Sequence, residues 1–92
     1  MDLTDYRKRM DEIDRGIVDL FQQRMDLSIE IAQYKKKNNL PIHDSAREQQ
    51  KLKDITGSVK EGQEAYVSAL YSLLFELSRA EQERFLNSPE QV

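Results

Sequence analysis

From Thr4 to about Lys37 the chain runs without proline, and its apolar residues recur every seven positions. Leu3, Met10, Ile17 and Ile31 form one row, and Tyr6, Ile13, Leu20, Leu27 and Tyr34 form the other. Two apolar rows on a strict seven-residue repeat describe a helix that packs along its length against other helices. An acidic start and the Lys35-Lys36-Lys37 end match the helix dipole. About 34 helical residues at ~1.5 Å each reach roughly 50 Å, whereas a compact domain of this length is only about 30 Å across. Such a helix outruns its own domain, so the sequence predicts a dimer.

The rest of the chain divides at its turn residues. Asn38-Asn39-Leu40-Pro41-Ile42 ends the first helix, because Asn tolerates a C-cap conformation and Pro41 cannot continue it. A second helix is expected from Asp44 or Ser45, where Ser45-x-x-Glu48 has capping-box spacing, to about Ile55. Thr56-Gly57-Ser58 breaks it. After Gly62 a third helix runs to about Leu86, with Tyr66, Leu70, Leu73, Leu74 and Leu77 expected to face the core. Residues 87–92, with Pro89, read as a frayed tail. The expected unit is one all-α domain over 1–92, with three helices in the order long, short, long.

Composition narrows the function. The 92 residues are 38% hydrophobic and 34% charged, with 3 Gly, 2 Pro and no Cys, a balance suited to solvated helices without disulfide or Cys-bound metal staples. A net charge of −3 argues against a nucleic-acid or membrane-surface partner found by bulk electrostatics, though a local basic pocket is still allowed. The start of the chain has no signal-peptide pattern and no apolar run approaches the ~20 residues of a membrane span, so a cytoplasmic location is expected. Nothing in the sequence forms a metal-binding pattern, a dinucleotide fingerprint, a phosphate loop or a nucleophile motif. An enzyme built from these residues works by binding and electrostatics, with no cofactor.

Arg24 is the sharpest local signal, since a guanidinium in an apolar seam is costly unless an anion answers it. The bland alternative is a register-setting residue or an ion pair with an acid on another helix. Lys35 lies eleven residues on, about three turns, so it shares nearly the same face some ~16 Å along the axis, and the two side chains can grip one small dianion. Taken singly, Lys35 reads as a solvated helix-end lysine. Arg7 is 17 residues from Arg24, roughly 25 Å, too far for one small ligand within a chain. In an antiparallel dimer it approaches the other protomer's Arg24, giving two equivalent composite sites; otherwise it is a surface arginine paired with Asp11. Ser78 and Gln82, at i and i+4, share a face with Tyr71 and Phe75. Asp44, Arg47 and Glu48 cluster at the start of the short helix, where capping alone also explains the acids. His43 precedes them as a loop residue with no Ser or Cys partner for nucleophilic chemistry.

The order and spacing of Arg7, Arg24, Lys35, Asp44, Arg47, Glu48, Ser78 and Gln82 closely resembles the all-α chorismate mutases, from Tyr6 to about Phe85. The strings that carry the likeness are Met10-Asp-Glu-Ile-Asp14, Gln23-Arg24, Lys35 ahead of Pro41-Ile42, and Asp44-x-x-Arg47-Glu48. The resemblance implies an intertwined antiparallel homodimer that rearranges chorismate to prephenate, in the route to Phe and Tyr, without a cofactor or metal. It implies that Arg24 and the other protomer's Arg7 bind the two carboxylates, that Lys35 and Gln82 donate to the ether oxygen, and that Glu48, helped by Asp44, accepts from the ring hydroxyl. Arg47 and Ser78 complete the lining. The sequence departs from the family at Arg79, where the family tends to be apolar, and at the bulky Phe75. Two alternatives stand beside this reading: an isochorismate-pyruvate lyase of the same fold, and a helical dimerisation module without chemistry.

Overall fold

Asp2 starts the first helix. Its carboxylate accepts from the backbone N–H of Asp5 at 3.0 Å, and the Asp5 carboxylate accepts from the backbone N–H of Asp2 at 3.0 Å, a reciprocal capping box. From there α1 (Leu3–Lys37) continues unbroken to its run of three lysines, where Asn38 caps it and Asn39 turns the chain with a left-handed φ of 55°. The computed structural model describes residues 1–88, and among these it contains α1, α2 (Ser45–Thr56) and α3 (Glu64–Leu86), with no strand. The expected fraying of 87–92 lies, from residue 89 onward, outside the described residues.

Asp44, not Ser45, caps α2: its side chain accepts from the backbone N–H of Arg47 at 3.0 Å, and Ser45 becomes the first helical residue. The helix runs one residue past the expected Ile55, and the Thr56 hydroxyl donates back to the Leu52 carbonyl at 2.9 Å. Gly62, at a φ of 92° that only glycine adopts without strain, turns the chain into α3.

The contact between α1 and α3 is made by small and polar residues. Ala32 is completely buried, and Ser28, Ser78 and Gln82 are the other buried side chains among the described residues. Ser28 and Ala32, like Ser78 and Gln82, are spaced i, i+4, so each pair forms one short stripe. Small residues there let the two helix backbones approach closely. α2 packs mainly on α3.

A single chain does not bury the face of α3 expected to meet a core. Within one chain Tyr66 is 75% exposed, and Leu70, Leu73 and Leu77 are also exposed, leaving only Leu74 half-buried. The apolar rows of α1 are exposed too, and so is every residue from Leu3 to Gln23.

The shape follows from α1. The chain measures 54 × 30 × 14 Å, with a radius of gyration of 16.7 Å, whereas a compact domain of this length has about 12 Å. It exposes 7532 Å², against roughly 5,500 Å² for a compact monomer of this size. The exposed apolar residues of α1 and α3 belong to that surplus. Among the described residues no helix is long and apolar enough to cross a membrane.

Candidate active site

Where the C-terminal half of α1 meets α2 and α3, the three helices enclose a cleft of about 470 Å³. Arg24, Lys35, Asp44, Arg47, Glu48, Ser78 and Gln82 all line it. Each helix contributes for a local reason. On α1, Arg24 and Lys35 lie about 20° apart around the axis, so both reach the same cleft from different heights. The capped start of α2 fixes Asp44 and turns Arg47 and Glu48 towards α3. The polar stripe of α3 supplies Ser78 and Gln82.

Arg24 donates from Nη1 to the Ser78 hydroxyl at 2.5 Å, and its guanidinium stands over the Phe75 ring, 5.7 Å from the centroid. Phe75 in turn meets Tyr71 edge-on, with centroids 6.0 Å apart. The aromatic stripe thus braces a cation. No carboxylate of the same chain pairs with Arg24 among the described residues. Its remaining guanidinium donors are available to a ligand.

Lys35 curls over the turn and donates from Nζ to the Ile42 carbonyl at 3.0 Å, which leaves two ammonium donors. It is held, not freely solvated. Gln82 donates from Nε2 to the backbone carbonyl of Ser28 at 3.0 Å, while the Ser28 hydroxyl donates to the Arg24 carbonyl at 2.9 Å. The Gln82 bond ties α3 to α1 one turn beyond Arg24, and the Ser28 hydroxyl bond stays within α1.

Arg7 is not in the cleft. It stands on the free part of α1, and no ion pair joins it to Asp11 among the described residues.

Three polar residues line the cleft that the sequence did not bring forward as site residues: Ser28, Lys51 and Arg79. Lys51 was legible in principle, because it follows Arg47 by one helical turn on the same face. Arg79 donates from Nη1 to Glu48 Oε2 at 2.5 Å, and His43 Nε2 lies 3.6 Å from Glu48 Oε1. Thus Arg79 acts on a site residue instead of merely altering the wall.

Arg24, Lys35, Arg47, Lys51 and Arg79 make five cations in the lining, against the two carboxylates of Asp44 and Glu48. A chain of net charge −3 therefore holds a cleft of the opposite sign. Such concentration focuses the field on an incoming anion. Away from the cleft, Glu81 holds the exposed Arg84 guanidinium above its ordinary pKa, by hydrogen bonding first and charge attraction second. Among the described residues no three His, Asp or Glu side chains are grouped to hold a metal ion.

Comparison with known proteins agrees across most of the chain. The family model for chorismate mutase type II matches residues 6–83. A bifunctional chorismate mutase/prephenate dehydratase of Buchnera aphidicola subsp. Schizaphis graminum is 36% identical over 88 residues, covering 94% of this chain and 23% of that protein. Its counterpart in Buchnera aphidicola subsp. Baizongia pistaciae is 33% identical over 86 residues, 91% of this chain and 23% of the relative. The chain therefore spans about a quarter of the length of these bifunctional relatives. A chorismate mutase of Methanocaldococcus jannaschii is 30% identical over 90 residues, 96% of this chain and 91% of that protein. No solved structure gives a significant match. A family model that covers most of the sequence, joined by a relative matched over nearly its whole length, means that this chain belongs to the chorismate mutase type II family, a family of isomerases.

Proposed function

We propose that this chain, as a single domain, converts chorismate to prephenate at the branch leading to the aromatic amino acids, in the cytoplasm. One observation carries the reading: Arg24, free of any carboxylate partner among the described residues, faces a cleft with three more cations than anions, beside Lys35 and Gln82. A small dianion is the ligand such a cleft attracts.

The reaction is internal to the substrate. One C–O bond breaks, one C–C bond forms, and no atom is gained or lost, so neither a nucleophile nor a cofactor enters the proposed mechanism. What the protein supplies is a held conformer and fixed charge. Arg24 and the partner subunit's Arg7 take the two carboxylates and draw the enolpyruvyl arm over the ring, which converts a rare compact shape into the bound one. Lys35, with two free ammonium donors, and Gln82, with its second N–H, face the ether oxygen as negative charge develops there. Glu48, supported by Asp44, accepts from the ring hydroxyl, and Arg47 and Ser78 finish the polar wall. Because these donors are already tied to Ile42 and Ser28, little reorganisation accompanies the reaction.

The assembly in this reading is an intertwined antiparallel homodimer. Its support is the roughly 2,000 Å² per chain of surplus surface, a size fitting an obligate interface, together with the exposed apolar rows of α1. Two-fold symmetry then carries each Arg7 across some 25 Å to the other protomer's cleft.

Two experiments test the proposal. Purified protein incubated with chorismate is expected to yield prephenate, identified by mass and absorbance. Salicylate and pyruvate from isochorismate in its place would transfer the assignment to a lyase, and turnover of neither would leave a dimerisation module. The shared site has its own test. Arg7→Ala and Arg24→Ala proteins, each nearly inactive alone, are expected to regain activity when mixed under subunit exchange. One of the two sites in each heterodimer then holds both arginines, so confirmed exchange without recovery removes Arg7 from the site.

A further inference from the structure

Arg79 has no place in the substrate contacts proposed above, yet it makes a short link from α3 to α2, donating from Nη1 to Glu48 Oε2 at 2.5 Å. On the other side of the same carboxylate, His43 Nε2 lies 3.6 Å from Oε1. The Arg79 and Glu48 side chains are 30% and 24% exposed, so the pair lies at the mouth of the cleft and is not sealed in the core. A pair this accessible contributes little to stability. Its geometric effect is larger. Glu48 neighbours Arg47 in sequence, precedes Lys51 by three residues, and shares the cleft with Arg24. A flexible glutamate among so many cations has several directions to point, and the one it takes is set by the partner it keeps. The Arg79 Nη1 bond to Oε2 sets that direction, since it is a charge-assisted hydrogen bond from a neighbouring helix.

We propose that Arg79 is a positioning residue that holds Glu48 by Oε2 and presents its carboxylate to the hydroxyl of a ring-bearing dianion in the cleft. Each carboxylate oxygen accepts more than one hydrogen bond, so the Arg79 link leaves acceptor capacity for the ligand. The consequence is specificity: Arg79 sets how well the cleft distinguishes a hydroxylated ring from the same ring without its hydroxyl. This inference rests on the chorismate mutase reading, in which Glu48 meets the ring hydroxyl.

The test uses two bicyclic ether dicarboxylates of one shape, one with the ring hydroxyl and one without, as calorimetric ligands for the full chain. Turnover of chorismate is measured alongside. Wild-type protein is expected to prefer the hydroxylated ligand by at least about tenfold, the scale of one hydrogen bond to a charged group. Arg79→Met is expected to lose most of that preference, weakening the hydroxylated ligand well beyond the general loss that removal of one cleft cation imposes on both ligands, and Arg79→Lys to recover part of it. In a Glu48→Gln background Arg79→Met is expected to change both affinities alike. If Arg79→Met loses its helical signal, Arg79→Gln, which retains a donor without charge, makes the same comparison. Equal weakening of both ligands, or an unchanged preference, would overturn the role and leave Arg79 as a tether between helices. Wild-type protein that turns over chorismate without preferring the hydroxyl also overturns it. Wild-type protein that neither turns over chorismate nor binds either ligand overturns the functional reading, and this inference with it.

Discussion

Arg24→Ala is expected to lower kcat/KM for chorismate by about 3 kcal/mol, on the order of a hundredfold, with little effect on the fold. The two effects separate because of what Arg24 touches. Its protein partners are a serine hydroxyl and the face of Phe75. Both are neutral, so truncation strands no carboxylate. Loss of one hydrogen bond and one cation–π contact amounts to about 1–2 kcal/mol, partly offset because a half-buried charge regains no water in the folded state and its removal relieves that cost. The transition state has no such compensation, since a substrate carboxylate loses the fork that held it. Arg24→Lys tests the same point from the other side: charge is kept, planar two-point binding is lost, and intermediate activity is expected. Thermal melting and steady-state kinetics on both variants make the measurement. A well-folded Arg24→Ala protein with near-normal kcat/KM would remove Arg24 from the role assigned to it.

Much of the local structure was legible in the sequence because it depends on short-range chemistry. The proline-free heptad stretch, the Asn38–Pro41 stop and the Gly57 and Gly62 breaks gave three helices with ends within a residue or two of those observed. Choosing between Asp44 and Ser45 as the cap was harder, because both side chains can accept from a backbone N–H two or three residues ahead, and Asp44 takes that bond. The contact within one chain was harder to read, because α1 and α3 meet through Ser28, Ala32, Ser78 and Gln82, residues that bring backbones close without looking like a core. Leu70, Leu73 and Leu77 stay exposed in one chain.

The cleft was partly legible for the same physical reason that Arg24 stood out. A cation that interrupts an apolar repeat is anomalous at any distance, and Lys35 lies on its face by helical arithmetic alone. Arg79 could not be read in this way. On a solvated helix an arginine beside Ser78 is unremarkable, and its partner Glu48 is 31 residues away on another helix. Only packing joins them. Lys51 lies between these cases, since its turn-by-turn relation to Arg47 was visible but its direction was not.

Ile17→Asp is expected to abolish the folded state at micromolar concentration, read as loss of far-UV helicity and of the dimer by sedimentation. Ile17 is 60% exposed in one chain, so a monomeric protein would tolerate the change within about 0.5 kcal/mol, as most surface positions do. In the proposed dimer the position is buried in two copies. Each copy then loses roughly 1.5–3 kcal/mol of apolar burial and adds the cost of an unpaired carboxylate in an apolar seam. Against the usual net stability of about 5–15 kcal/mol, that total is enough to unfold the protein. Gln22→Asp is the control, because it adds the same charge about 140° round the helix from Ile17, outside the apolar rows. It is expected to remain helical and dimeric. An Ile17→Asp protein that stays folded, monomeric and active would show that α1 is stable without a partner. It would remove the shared interface and, with it, the route by which Arg7 reaches a cleft.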